Sequence, residues 1–136
     1  MDDADSPSAV ELETGDGSAL VIKLIGRSPH ETTFQVTLRK PWLTARQEAS
    51  TYVNGSPAGF FAEMARDWRG WVNEKQWEDL EGRVKLSASS DATGHSSLRV
   101  QMRGPNFEDG VEAMLTYEAG QLEHMSRAVD RLFKPD

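Results

Sequence analysis

The chain contains no cysteine. That removes a disulfide framework, a thiolate metal site and a cysteine nucleophile together. No run of about 18 apolar residues occurs, so no membrane contact by a spanning helix is expected. A basic excess is also missing: 15 Lys and Arg stand against 22 Asp and Glu, a net charge of −7. Binding to phosphate backbones draws on positive charge, so no nucleic-acid partner is expected. The nucleophile-elbow, P-loop and dinucleotide glycine patterns are absent, and no cofactor is expected. His30, His95 and His124 are dispersed, without the paired spacing of metal ligands, so no metal site is expected either.

What remains is a soluble composition, 38% apolar and 27% charged, in 136 residues, enough for one domain with one core. Residues 1–16 hold six acids and no base. They read as a flexible, solvating N-terminal segment ahead of a single α+β domain at 17–134. The other reading is a first strand over 9–14, turning at Gly15-Asp16-Gly17. An acidic start is the opposite of a secretory signal, and with no cysteine the expected location is cytoplasmic.

Residues 18–25 form a short apolar strand with Leu20, Ile22 and Leu24 on one face. Residues 31–40 alternate cleanly, placing Phe34, Val36 and Leu38 inward. A weaker strand follows at 44–53. Ser56-Pro57 then opens a helix carrying Phe60, Phe61, Met64, Ala65 and Trp68 at helical spacing, with Gly70 as its stop. Asn73 and Gln76 suggest a capping-box pair for a short helix at 74–80. Three strands follow, with Val84, Leu86 and Ala88, then Leu98, Val100 and Met102, then Val111, Ala113, Leu115 and Tyr117 inward. Leu122, Met125, Val129, Leu132 and Phe133 mark a C-terminal amphipathic helix. The order βββαβββα predicts an α+β fold: an antiparallel sheet of about six strands with two main helices packed on one face.

Four places could carry function. The tryptophans are candidates for a stacking platform, but their spacing favours anchoring: Trp68 on the helix stripe, Trp71 just past the glycine stop, Trp77 with Leu80 one turn later. Asp91 and His95 could work as an acid–imidazole pair, although Asp91 and Gly94 also suit a tight turn. Glu63 and Asp67 could form a carboxylate pair, yet Arg66 and Arg69 beside them suggest a paired, solvated helix face. The outward positions of the central hairpin gather Arg83, Lys85, Arg99, Gln101 and Arg103, a candidate docking face for an acidic protein partner. Opposed to that stands neutralisation by Glu112 and Glu118 of the next strand.

Phe61, Asp67-Trp68, Gly70-Trp71, Trp77, Leu80-Glu81-Gly82, Asp91, Gly94-His95 and the run from Glu118 to Glu123 together resemble an uncharacterised bacterial family. Its members are small cytosolic proteins with a domain of unknown function. The resemblance covers about residues 55–133 and fades toward the N-terminus. Members often carry a glycine where this chain has Asn73. The resemblance implies no activity, ligand or catalytic residue. Some small bacterial domains of similar build are immunity proteins, an analogy of fold alone. The leading expectation is a non-enzymatic protein-interaction module, immunity-like in one version. The alternatives are a small-molecule or carbohydrate binder using Trp71, Trp77, Asp91 and His95, and a hydrolase using Asp91, His95 or the Glu63–Asp67 pair.

Overall fold

A computed structural model describes residues 8–91 and 93–134. The chain makes four antiparallel strands and a helix, then repeats that path. The first half comprises β1 (Ala9–Glu13), β2 (Ala19–Arg27), β3 (Thr32–Lys40), β4 (Leu43–Ser50) and α1 (Ala58–Arg66). The second comprises β5 (Lys75–Glu78), β6 (Val84–Ser90), β7 (His95–Arg103), β8 (Gly110–Glu118) and α2 (Leu122–Phe133). Each half is one sheet in sequential order, so the protein is α+β with two four-stranded sheets rather than one of about six.

The two strands that make this difference lack a strong apolar signal. β1 interleaves Val10 and Leu12 with Glu11 and Glu13, and its acids hide the alternation. Its outer carboxylates Glu11 and Glu13 both lie against the guanidinium of Arg39. Asp16 then builds the β1–β2 turn, accepting from the Thr14 hydroxyl and from Ser18 N–H at 3.1 Å. From Ala9 onward the acidic start is therefore part of the first sheet, and residues 1–7 lie outside the described residues. β5 is four residues with one apolar inward side chain, Trp77, too short to show a period. The short helix expected at 74–80 is this strand. Asn73 does not cap a helix: it takes a left-handed backbone (φ 67°), the conformation in which glycine is unstrained.

The remaining strands follow their alternation. Phe34, Val36 and Leu38 of β3, and Val84, Leu86, Leu98, Val100, Leu115 and Tyr117 of β6 to β8, are all buried. α2 buries Leu122, Met125, Val129 and Leu132, the stripe its 3.6-residue spacing predicts. The two helices pack on each other, α1 also beside β5 and α2 also beside β1. One core joins both halves. Phe34 sits at its centre, its ring 6.0 Å from Trp77 and edge-on to Phe133 at 5.0 Å.

Backbone bonds stop at the sheet boundaries, and side chains close the seams. Gln47 takes the edge N–H of Glu48 at 2.7 Å and donates to the carbonyl of Arg103 in the other sheet. Gln121 does the same at the opposite seam: it takes the edge N–H of Glu118 at 2.9 Å and donates to the Glu13 carbonyl at 3.1 Å. Beside it, the buried Tyr117 hydroxyl donates to the Leu12 carbonyl at 2.7 Å. Burial pushes the Tyr117 hydroxyl well above the usual phenol range, and the charge of Asp16 adds to this, so it stays a donor. Among the described residues, no helix is long and apolar enough to cross a membrane.

Candidate functional site

α1 ends at Arg66, one turn before the expected stop, and this reassigns the tryptophans. Trp68 does not continue the buried stripe: it is 51% exposed, with the Arg69 guanidinium 5.0 Å above its ring. Trp71 is half-buried and donates its indole N–H to the Ala88 carbonyl at 3.2 Å. Trp77 is buried and donates to the Gly55 carbonyl at 3.2 Å, so its ring belongs to the core.

Lys75 explains the carboxylate pair. Its ammonium lies 5.1 Å over the Trp71 ring, 2.7 Å from Asp67 and 3.9 Å from Glu63. Hydrogen bonds from Arg66 and then Lys75 hold the Asp67 carboxyl down at about 2. Asp91 behaves similarly. It accepts from the His95 and Thr93 backbone N–H groups and the Thr93 hydroxyl, which lowers it to about 2. Gly94 takes a positive φ of 88° in the same turn. His95 lies 3.1 Å from Glu118 and 3.5 Å from Asp91. These two residues sit at the hairpin end on the outer side of the sheet, whereas Trp77 points to the inner side. The structure therefore does not bring Trp77 together with Asp91 and His95.

Lys85, Arg99, Gln101 and Arg103 share the outer face of the second sheet, and Arg83, just before β6, accepts the Arg103 N–H with its carbonyl at 2.9 Å. Arg99 reaches Glu74 at 3.0 Å and Glu112 at 3.8 Å, and Arg83 reaches Glu81 at 3.1 Å. Ser87, which pairs with Arg99 across the strands, is buried beneath this row. Lys85 and Arg103 make no ion pair among the described residues, and Gln101 lies directly opposite Lys85.

A concave site forms where the end of the first sheet meets the β5–β6 turn. After β4, Ser50 Oγ accepts the N–H of Tyr52 at 3.0 Å, and Gly55 N–H closes back on the Thr51 carbonyl at 2.9 Å. This tight loop holds Val53 at φ 67°, a left-handed conformation that crowds a β-branched side chain. Tyr52 and Val53 are 52% and 71% exposed. Opposite them, the buried Asp79 carboxylate ties the turn by accepting from Arg83 and Val84 N–H at 2.8 and 2.9 Å. Leu80 is thereby turned outward, half exposed. Asn54 donates to the Glu78 carbonyl at 3.0 Å and locks loop to strand.

Between Tyr52 and Leu80 lies a cleft of about 290 Å³, rimmed by Glu31, Glu48, Glu81 and Arg83. Three carboxylates face one guanidinium, and that guanidinium is already engaged by Glu81. The arrangement suits a cationic group resting on the Tyr52 ring, with aliphatic carbon against Leu80. Of these residues the sequence marks Arg83 as a binding candidate, and Leu80 and Glu81 only as a partner for Trp77 and as part of the family resemblance. The signal available for the cleft itself is the presence of large apolar residues, Tyr52 and Leu80, inside turn segments that contain Asn54-Gly55 and Glu81-Gly82. Among the described residues, no group of three or more His, Asp or Glu is placed to hold a metal.

No curated protein and no solved structure matches the chain. One family model matches over residues 14–136, beginning well before the point at which the resemblance was expected to fade. By that match across nearly its whole length, the chain belongs to DUF6228, a family of unknown function.

Proposed function

We propose that the protein is a non-enzymatic protein-interaction module that binds its partner at the Tyr52–Leu80 cleft. The observation that carries this reading is the exposed Tyr52 lining an acidic cleft, with the strained Val53 next to it in the same loop. A β-branched residue is held in a left-handed backbone on the surface, beside an exposed tyrosine, where it adds nothing to the core. Local strain of this kind is a feature of recognition and switch sites, and tyrosine is prominent among residues that dominate interface energetics. The acidic rim and the net charge of −7 favour a partner that presents a lysine or arginine on a protruding loop. The immunity-like version of this reading makes that partner a basic enzyme. Against catalysis stands the state of the obvious acids: Asp67 and Asp91 are held ionised by donors that also build the local structure.

A photo-reactive amino acid placed at position 52 tests the proposal in the native cell. Crosslinking to one partner, at a segment containing lysine or arginine and suppressed by Glu48→Lys, supports it. Crosslinks no different from those of a probe at position 116 on β8 would count against it.

A second reading rests on Lys85 and Arg103, the outer-face cations without an ion pair among the described residues. On that reading an acidic partner docks along Arg83, Lys85, Arg99, Gln101 and Arg103. Reversing Arg99 and Arg103 to glutamate distinguishes the two readings: it abolishes binding on the second and leaves binding in place on the first.

A further inference from the structure

The edge of a sheet presents backbone donors and acceptors on alternate residues. Two bonds, Leu24 N–H to the Ser8 carbonyl at 2.8 Å and Thr14 N–H to the Ser18 carbonyl at 2.9 Å, fix which residues of β1 face β2. Val10 and Leu12 turn their backbone groups to β2, so Ala9, Glu11 and Glu13 turn theirs to the open side. Each edge carries a side-chain stopper and also leaves outward groups without a partner among the described residues, as at Thr44 and Arg46 on β4 and Glu112 and Thr116 on β8. Gln47 takes Glu48 N–H on β4, and Asn54 takes the Glu78 carbonyl on β5. Lys40 takes the Met114 carbonyl at 2.9 Å on β8, where Gln121 also takes Glu118 N–H. On β1 Gln121 takes the Glu13 carbonyl, but among the described residues nothing takes the outward groups of Ala9 and Glu11.

Beside this edge runs a groove of about 550 Å³ between β1 and α2. Val10, Leu12, Met125 and Ala128 give it an apolar floor, and Gln121 closes one end. On the other face of the strand, Glu11 and Glu13 share the guanidinium of Arg39, and Lys23 of β2 stands opposite Ala9 on that face, so the two carboxylates of β1 itself are the charges an added strand meets first.

We infer that β1 accepts an extended segment of a partner protein as an added strand, with apolar side chains alternating toward α2 and basic ones toward Glu11 and Glu13. Strand addition of this type takes affinity from main-chain bonds and specificity from alternate side chains. The charge decides the occupant. A second copy of this chain paired through its own β1 would set glutamates against glutamates, which is unfavourable, whereas lysine or arginine is matched there. This site is separate from the Tyr52 cleft and does not depend on it.

The test uses the full chain and a labelled probe peptide, acetyl-Val-Lys-Val-Arg-Val-amide. Two control peptides accompany it, one with glutamate in place of the basic residues and one with a central proline. Binding is read by fluorescence anisotropy and by amide hydrogen exchange. The expected result is slowed exchange at Ala9 and Glu11, with the basic peptide bound at least about tenfold more tightly than either control. Ala128→Trp, which fills the groove, removes binding, and Glu11→Lys at the surface shifts preference to the acidic peptide. Unchanged exchange at saturating peptide, or equal affinity for the proline control, would overturn the inference. So would protection of Ala9 and Glu11 in the absence of peptide together with a dimer mass, which would assign the edge to a second copy.

Discussion

The two halves of this protein follow the same path of four antiparallel strands and a helix, and they differ at their edges. In the second half, Lys40 and Gln121 take backbone groups of Met114 and Glu118 on β8, while the outward groups of Glu112 and Thr116 have no partner among the described residues. In the first half, the outward groups of Ala9 and Glu11 on β1 likewise have no partner among the described residues, and here a groove runs beside the edge. The seams between the halves are closed alike, each by a glutamine that takes an edge N–H and reaches a carbonyl of the other sheet. The shared plan builds a core from two sheets. The features that suit recognition, an edge with a groove beside it and a strained loop, lie where the halves depart from each other.

The largest effect separates core from surface within one stretch of sequence. Trp77→Ala removes a buried ring packed on Phe34 and is expected to cost about 3–5 kcal/mol by urea unfolding. Trp68→Ala, nine residues earlier and half exposed, is expected to change stability by less than about 0.5 kcal/mol. Equal losses would mean that the tryptophans act as a single unit.

The seam glutamines sharpen the comparison between halves. Gln47→Ala and Gln121→Ala should each cost about 1 kcal/mol, and the double variant should give their sum, since the two lie at separate seams. A coupling energy above about 0.5 kcal/mol would show that the seams open together.

The strained loop offers a change of opposite sign. Val53→Gly relieves the left-handed backbone and is expected to raise stability by up to about 1 kcal/mol while weakening partner binding. A gain in stability with binding intact would remove the loop from the recognition surface.

Acid titration gives the smallest and broadest effect. Asp16, Asp67 and Asp91 have pKa values lowered to about 2 by hydrogen bonds from Thr14 and Ser18, from Arg66 and Lys75, and from His95 and Thr93. Their folded values lie below the unfolded ones, so their contribution is complete above about pH 4 and is lost as pH falls through about 2. Asp91→Asn should flatten the melting-temperature profile in that window and leave the profile near neutrality parallel to the wild type. An unchanged slope would mean that Asp91 is equally perturbed in the unfolded chain.

The legible parts of the fold are those whose pattern is local and repeated. Leu98, Val100 and Met102 alternate without interruption, and α2 shows a complete apolar stripe. β5 was not legible, because one inward tryptophan among Lys75, Gln76 and Glu78 has no period, and its neighbour Lys75 gains its place only through distant Asp67 and Glu63. Trp68 misleads because apolar spacing continues past the point where α1 stops. The candidate cleft is harder still. Arg83 stands out as one of a basic set, but nothing local marks Tyr52 and Leu80 as facing each other, since their approach depends on Asn54 reaching Glu78 across the chain.

Recognition of a partner at the cleft between Tyr52 and Leu80 is the function proposed for this fold. Its most direct test is calorimetric titration of the crosslinked partner against wild type, Tyr52→Ala and the distant control Thr116→Ala, at matched thermal stability. The expected result is a loss of at least about thirtyfold for Tyr52→Ala, the scale of an interface hot spot, and none for Thr116→Ala. Equal affinity across the three proteins would contradict it.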